Sequence, residues 1–141
     1  MSYSDYNLPM PYEELPHTAD WALRVWAGSL PELFGEAARG MNALAGAKAA
    51  NGPRVQREFK ASSPDPESLL VQFLSELVYA AEQEKLVFDT FDVYLSGAEL
   101  KVNLTGAPLQ SLNKAIKAVT YHNLHIRQTG NGFEVEIVFD V

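Results

Sequence analysis

Near the start of the chain, Pro16-His17-Thr18-Ala19-Asp20-Trp21 sets an imidazole, a hydroxyl and a carboxylate within four consecutive positions. The chain closes on Asp140 and Val141. Two aspartates and the α-carboxylate of Val141, where the chain ends there, would make a compact hard-oxygen site. Such a donor set suits Ca²⁺, Mg²⁺ or Mn²⁺ rather than zinc. Three carboxylates of this kind cannot crowd together without a cation or protons between them. Spacing alone leaves blander roles open: Asp20 as a turn-forming side chain, Asp140 as a solvated strand end. His17 reads as a ligand, a general base or a hydrogen-bonded turn histidine. Lys117, between Ile116 and Ala118, could face a carboxylate or phosphate, or water.

Other chemistries lack their residues. The chain has no cysteine, which removes thiol catalysis, thiolate zinc sites and disulfides together. It carries no P-loop, no G-x-G-x-x-G, no G-x-S-x-G and no H-E-x-x-H. His122 and His125 are three apart on what reads as a strand, so they should point to opposite faces. Trp21, Trp26 and Tyr79 lie within apolar patterns and read as core or rim packing rather than a stacking platform.

Charge narrows the partners. The net charge of −7 opposes autonomous nucleic-acid binding, which draws most of its affinity from phosphate neutralisation. Yet Lys101 to Phe133 contains no Asp or Glu, while Lys101, Lys114, Lys117 and Arg127 fall within it. One end of the molecule is therefore expected to be basic and suited to a charged partner. The first residues have neither the basic nor the apolar region of a signal peptide, and no stretch is apolar enough to span a membrane. A cytoplasmic location without membrane contact is expected.

The elements that must position these residues follow from periodicity. Residues 1–11 are polar and proline-containing, a loosely ordered lead-in; residues 12–141 are expected to form one domain. Tyr12–Leu15 and Trp21–Ala27 read as strands. Ser29-Leu30-Pro31-Glu32 is a capping box opening a helix to about Leu44, and Ala45 to Pro53 reads as a loop. A strand over 54–61 precedes a second helix from Glu67 to about Glu84, with Asp65 as N-cap and Pro66 in its first turn. Strands over 91–96 and 100–105 form a hairpin through Gly97. Leu112, Ala115, Ile116 and Val119 predict a short helix carrying Lys117. A last hairpin, 122–129 with 133–140, turns at Gly130-Asn131-Gly132. The sum is an α+β two-layer sandwich: a mixed or antiparallel sheet with two main helices and one short helix on one face.

Four blocks, in order, resemble the archease family. They are His17-Thr18-Ala19-Asp20 with Gly28 and Glu32-Leu33-Phe34; Leu69-Leu70 with Leu74, Glu76, Leu77 and Tyr79; Ile116-Lys117-Ala118-Val119-Thr120-Tyr121-His122; and Phe139-Asp140-Val141. The resemblance runs from about Tyr12 to Val141. It implies an accessory protein without a catalytic centre of its own, which activates an RtcB-type RNA ligase in tRNA splicing and RNA repair. Activation is by promoting GTP-dependent guanylylation of the ligase's histidine; the GTP and Mn²⁺ belong to the ligase, and RNA is met only indirectly. The resemblance also implies a divalent-metal site at Asp20, Asp140 and Val141, with Ca²⁺ ahead of Mg²⁺ or Mn²⁺. It makes Lys117 the activating lysine and His17, Thr18 and His122 supporting residues. Valine replaces the family's terminal isoleucine, which leaves an α-carboxylate in place. Two alternatives stand beside this reading. One is a metal-dependent phosphoesterase acting alone through Asp20, Asp140 and His17; the other is a chaperone-like modulator of RNA-processing enzymes.

Overall fold

In the computed structural model, residues 11–15 and 20–141 are described, and residues 1–10 and 16–19 lie outside that set. The expected lead-in therefore falls, Pro11 apart, outside the described residues. The chain is α+β, with two helices and two antiparallel sheets. In order it runs β1 (Tyr12–Leu15), β2 (Trp21–Ala27), α1 (Leu30–Ala45), β3 (Lys48–Ala49), β4 (Val55–Ser62) and α2 (Pro66–Tyr79). A π-helical turn (Ala80–Glu84) then leads to β5 (Leu86–Ser96), β6 (Glu99–Ser111), β7 (Ala118–Val119), β8 (Arg127–Thr129) and β9 (Gly132–Asp140).

Local chemistry sets the helix ends. Ser29 Oγ accepts from the Glu32 backbone N–H at 3.3 Å, the N-cap half of a capping box, and donates to the Glu32 carboxylate at 3.1 Å. Gly46 ends α1 in the left-handed region at φ 65°, donating to Ala43, while Ala47 donates to Asn42. That geometry favours glycine because a Cβ there strains the backbone. Asp65 caps α2 through the Ser68 N–H at 2.9 Å.

The first sheet has β9 at its centre. β2 runs along one edge of it from Trp21↔Phe139 to Ala27↔Phe133, and β1 pairs outside β2. β7 and β8 share the other edge as separate segments. In the second sheet β6 is central, flanked by β4 and β5, with β3 pairing its far end. β5 and β6 approach closely at Gly106, where a Cβ would stand 2.1 Å from the Val87 carbonyl oxygen, so only glycine fits.

Both helices touch both sheets: α1 packs on β2 and β5, α2 on β4 and β7. Between them lies an aromatic centre. Phe73 is fully buried, with ring centroids 6.4 Å from Phe34, 6.1 Å from Phe59 and, edge-on, 5.8 Å from Phe91. No helix among the described residues is long and apolar enough to cross a membrane.

The structure corrects one element outright and reshapes others. The short helix expected around Leu112 to Val119 does not form. Residues 112–117 are irregular and run into β7, because the unpaired edge of β9 takes their donors: Lys117 N–H bonds Asp140 O at 2.8 Å and Thr120 N–H bonds Val138 O at 3.0 Å. Asn113 and Lys114 N–H both reach Ala45 O, completing the end of α1. The single expected sheet is two. β5 and β6 extend beyond their expected ends, through Pro108, whose carbonyl accepts from Ala50. The loop after α1 contains β3, and His122–Ile126 are not strand.

Three carboxyl groups are held below the usual range. Asp65 is lowered chiefly by the Ser68 N–H, Glu84 by its hydrogen bonds from Arg57, and Asp89 by those from Arg54. A carboxylate with a depressed folded pKa stabilises the fold fully above its unfolded pKa and loses that contribution as pH falls. The urea midpoint is therefore expected to hold between about pH 7 and pH 5 and to fall below about pH 4, where unfolded Asp and Glu take up protons. A midpoint flat to about pH 2.5 would show that these contacts do not stabilise the fold.

Candidate functional site

The expected site residues converge at one end of the first sheet. Antiparallel register pairs Trp21 with Phe139, and Asp20 directly precedes Trp21 as Asp140 follows Phe139. On the opposite edge of β9, Ala118 pairs with Asp140, and the Lys117 N–H also bonds the Asp140 carbonyl, so the regular ladder ends there. β9 thus carries Asp20 on one flank and Lys117 on the other because its centre position gives it two neighbours.

Asp140 is exposed, its carbonyl oxygen fixed by Lys117 N–H. Val141 is partly buried with its side chain against the core, and Trp21 packs there too, bracketing the carboxylates with apolar anchors. Lys114 Nζ lies 5.9 Å from the centre of the Trp21 ring, a cation–π distance. Its contact with Trp21 was not readable from sequence; the only signal was its membership of the acid-free stretch.

The remaining expected residues divide. His17 and Thr18 lie outside the described residues. His122 sits exposed in a turn, its N–H bonded to Thr120 Oγ1 at 3.2 Å and its Nε2 3.2 Å from the Asn123 amide. Thr120 Oγ1 in turn donates to Val138 O at 2.9 Å, tying that turn to β9. His125 goes elsewhere, its Nδ1 3.8 Å from Glu67, so the two histidines serve different neighbours. Trp21 and Trp26 are half-buried, as rim packing requires, whereas Tyr79 is 56% exposed and not part of the core.

Among the described residues no group of three or more His, Cys, Asp or Glu side chains stands together as a metal cluster. Asp20 and Asp140 are two such side chains, and the third donor expected is a main-chain carboxylate. Carboxylates are hard-oxygen donors whose chemistry fits a Ca²⁺-type cation, whose remaining coordination positions water or a partner can fill.

Comparison with known proteins assigns the chain. The model of the archease protein family (MTH1598/TM1083) matches residues 12–141. The Methanosarcina barkeri archease is 36% identical over 143 residues, covering 92% of this chain and 95% of the relative. The Methanopyrus kandleri archease is 31% identical, covering 94% and 100%. Among solved structures, a Methanobacterium thermoautotrophicum protein superposes with a TM-score of 0.70 at 21% identity, covering 94% of this chain and all of that one. A Thermotoga maritima archease, described as a possible chaperone, superposes with a TM-score of 0.68 at 22% identity, covering 92% and 96%. With the family model matched along nearly its whole length and relatives above 30% identity across it, this chain belongs to the archease protein family.

Proposed function

We propose that this protein is an accessory factor that activates an RtcB-type RNA ligase, promoting GTP-dependent guanylylation of the ligase's active-site histidine. The ligase supplies GTP and Mn²⁺; this chain supplies an acidic tip of Asp20, Asp140 and the Val141 carboxylate, with Lys117 beside it. The observation that supports the reading is the strand register that pairs Trp21, next to Asp20, with Phe139 and pairs Ala118, next to Lys117, with Asp140 in an archease-family chain. When bound, a divalent cation at the tip, Ca²⁺ foremost, would neutralise the carboxylates and offer open positions to oxygen donors on the partner. The chain's own residues hold the two carboxylates at one end of the sheet and present the Lys117 ammonium to anionic groups.

The test is guanylylation of the ligase by GTP with and without this protein. Stimulation and repeated turnover are expected; an unchanged rate would sink the reading. A version extended by two glycines after Val141 removes the α-carboxylate there and leaves every side chain in place. It is expected to stimulate at least about tenfold less, as when a ligand's support is lost. Equal stimulation by the extended protein would remove the terminus from the site. A second reading, a chaperone-like factor, is favoured by the description of the Thermotoga relative. It predicts protection of unrelated RNA-modifying enzymes from aggregation, independent of Asp20 and Asp140.

A further inference from the structure

We infer that the apolar cavity beside Lys117 seats an apolar anchor side chain of the partner ligase, on a segment that carries an acidic residue next to that anchor. The inference rests on the function proposed above. The cavity holds about 330 Å³ and lies between the C-terminal ends of α1 and α2, the start of β5 and residues 112–117. Met41, Leu77, Val78, Phe88, Leu112 and Ile116 form its walls.

Two irregularities leave it hollow. A π turn packs one more residue per hydrogen-bonded loop than an α-helix, so Ala80–Glu84 swings wide of the α2 axis before Lys85 closes it at φ 56°. On the other side, residues 112–117 are not the compact helix that would have filled the space. The π turn is also braced. Arg57 on β4 holds Glu84 with two hydrogen bonds of 2.7 and 2.9 Å, reaches Glu76 at 3.4 Å, and lies 5.2 Å from the centre of the Phe88 ring. The cavity is therefore preformed, which lowers the cost of filling it.

The lining selects the occupant. Asn42, a polar wall residue, donates its amide to Phe88 O at 2.8 Å, and no buried side-chain polar atom among the described residues lacks a partner. A small metabolite normally needs inward-facing polar groups to orient it, whereas a side chain on a protein segment is oriented by the segment. The rim carries Lys85 and Lys117 against Glu82, a positive mouth on a chain of net charge −7. An acidic neighbour on the partner complements that mouth. Finally, Lys117 belongs to both places: it lines the cavity and its N–H bonds Asp140 O. A partner engaged at the acidic tip has the cavity within one residue's reach.

The experiment titrates this protein into the guanylylation assay. Ala115 is exposed and lines the cavity, so Ala115→Trp covers the mouth without entering the core. Ala81→Phe, from the π turn, narrows it from the other side. For each variant the concentration giving half-maximal stimulation is expected to rise at least about tenfold, the effect of losing one anchor. Stimulation at saturation and the Ca²⁺-induced rise in Tm should stay at wild-type values. Lys85→Gln should raise the half-maximal concentration a few-fold at low salt. If both cavity variants, folded by circular dichroism, titrate as wild type, the inference falls while the proposed function stands. If the wild-type protein gives no stimulation, the proposed function falls and the inference with it. A wild-type dimer that Ala115→Trp dissolves in sedimentation would give the cavity to a second copy. A small molecule seen in native mass spectrometry and lost in that variant would give it to a metabolite. Either finding overturns the inference.

Discussion

Asp20→Ala and Asp140→Ala are each expected to abolish stimulation of ligase guanylylation while leaving the fold intact. The separation is possible because the site is built from backbone register. Asp140 is exposed, and its contribution to the sheet is its carbonyl and its pairing with Ala118, which alanine keeps. An exposed substitution of this kind changes stability by about 0.5 kcal/mol or less. Losing one of the two carboxylates, by contrast, should weaken cation binding at least about 100-fold, more than the loss of a supporting residue. Thermal unfolding provides a readout without the ligase. Ca²⁺ at about 100 times its dissociation constant would stabilise the wild type by about 2.7 kcal/mol. Neither variant should show that rise in Tm. Stimulation by both variants at wild-type level would end the metal-tip account; a Tm shift that persists in both would place the cation elsewhere.

Phe73→Ala carries the largest expected loss of stability. Its ring is fully buried and meets Phe34 of α1, Phe59 of β4 and Phe91 of β5, so one side chain joins α2 to the other helix and two strands of the second sheet. Truncation removes the transfer free energy of the ring and leaves a cavity that three other aromatics cannot collapse into without leaving their rotamers. The expected cost is about 3–5 kcal/mol, a large part of a domain's total stability. Urea unfolding followed by fluorescence measures it. A loss below about 1 kcal/mol would mean that the centre repacks freely.

What could be read from sequence was what local chemistry decides. Ser29 with Glu32 and Asp65 with Pro66 announce helix starts because their bonds close within three residues. The strict alternation of Val55, Arg57 and Phe59 against Gln56, Glu58 and Lys60 announced β4 through its period of two, although its bonds go to remote β6. The failure at residues 112–119 has a physical cause. Leu112, Ala115, Ile116 and Val119 satisfy helical spacing, yet Ile116 and Val119 are buried from an extended chain while Ala115 is exposed. A free edge on β9 outcompeted the helix for the Lys117 and Thr120 donors, and no local pattern reports such an edge. Division into two sheets was hidden likewise, since pairing partners such as β2 and β9 are remote in sequence. At the site, residue types pointed to Asp20 and Asp140, but the pairing of Trp21, beside Asp20, with Phe139, beside Asp140, is a property of register. The cavity beside Lys117 had no signal at all, because a π turn and a missing helix leave none.

The central place of β9 also has a consequence in time. β1 and β2 are made first, yet β2 cannot gain its second neighbour until residues 132–140 exist, over a hundred residues later. Such long-range pairing is slow to form, because loop-closure entropy is lost before the pairing stabilises the chain. A chain interrupted before β9 loses a middle strand, not an edge, and with it every facing pair from Trp21 to Ala27. The acidic tip proposed for Asp20 and Asp140 would then assemble only in molecules whose synthesis and folding have both run through β9, so it would report that the chain has been made and folded through that strand.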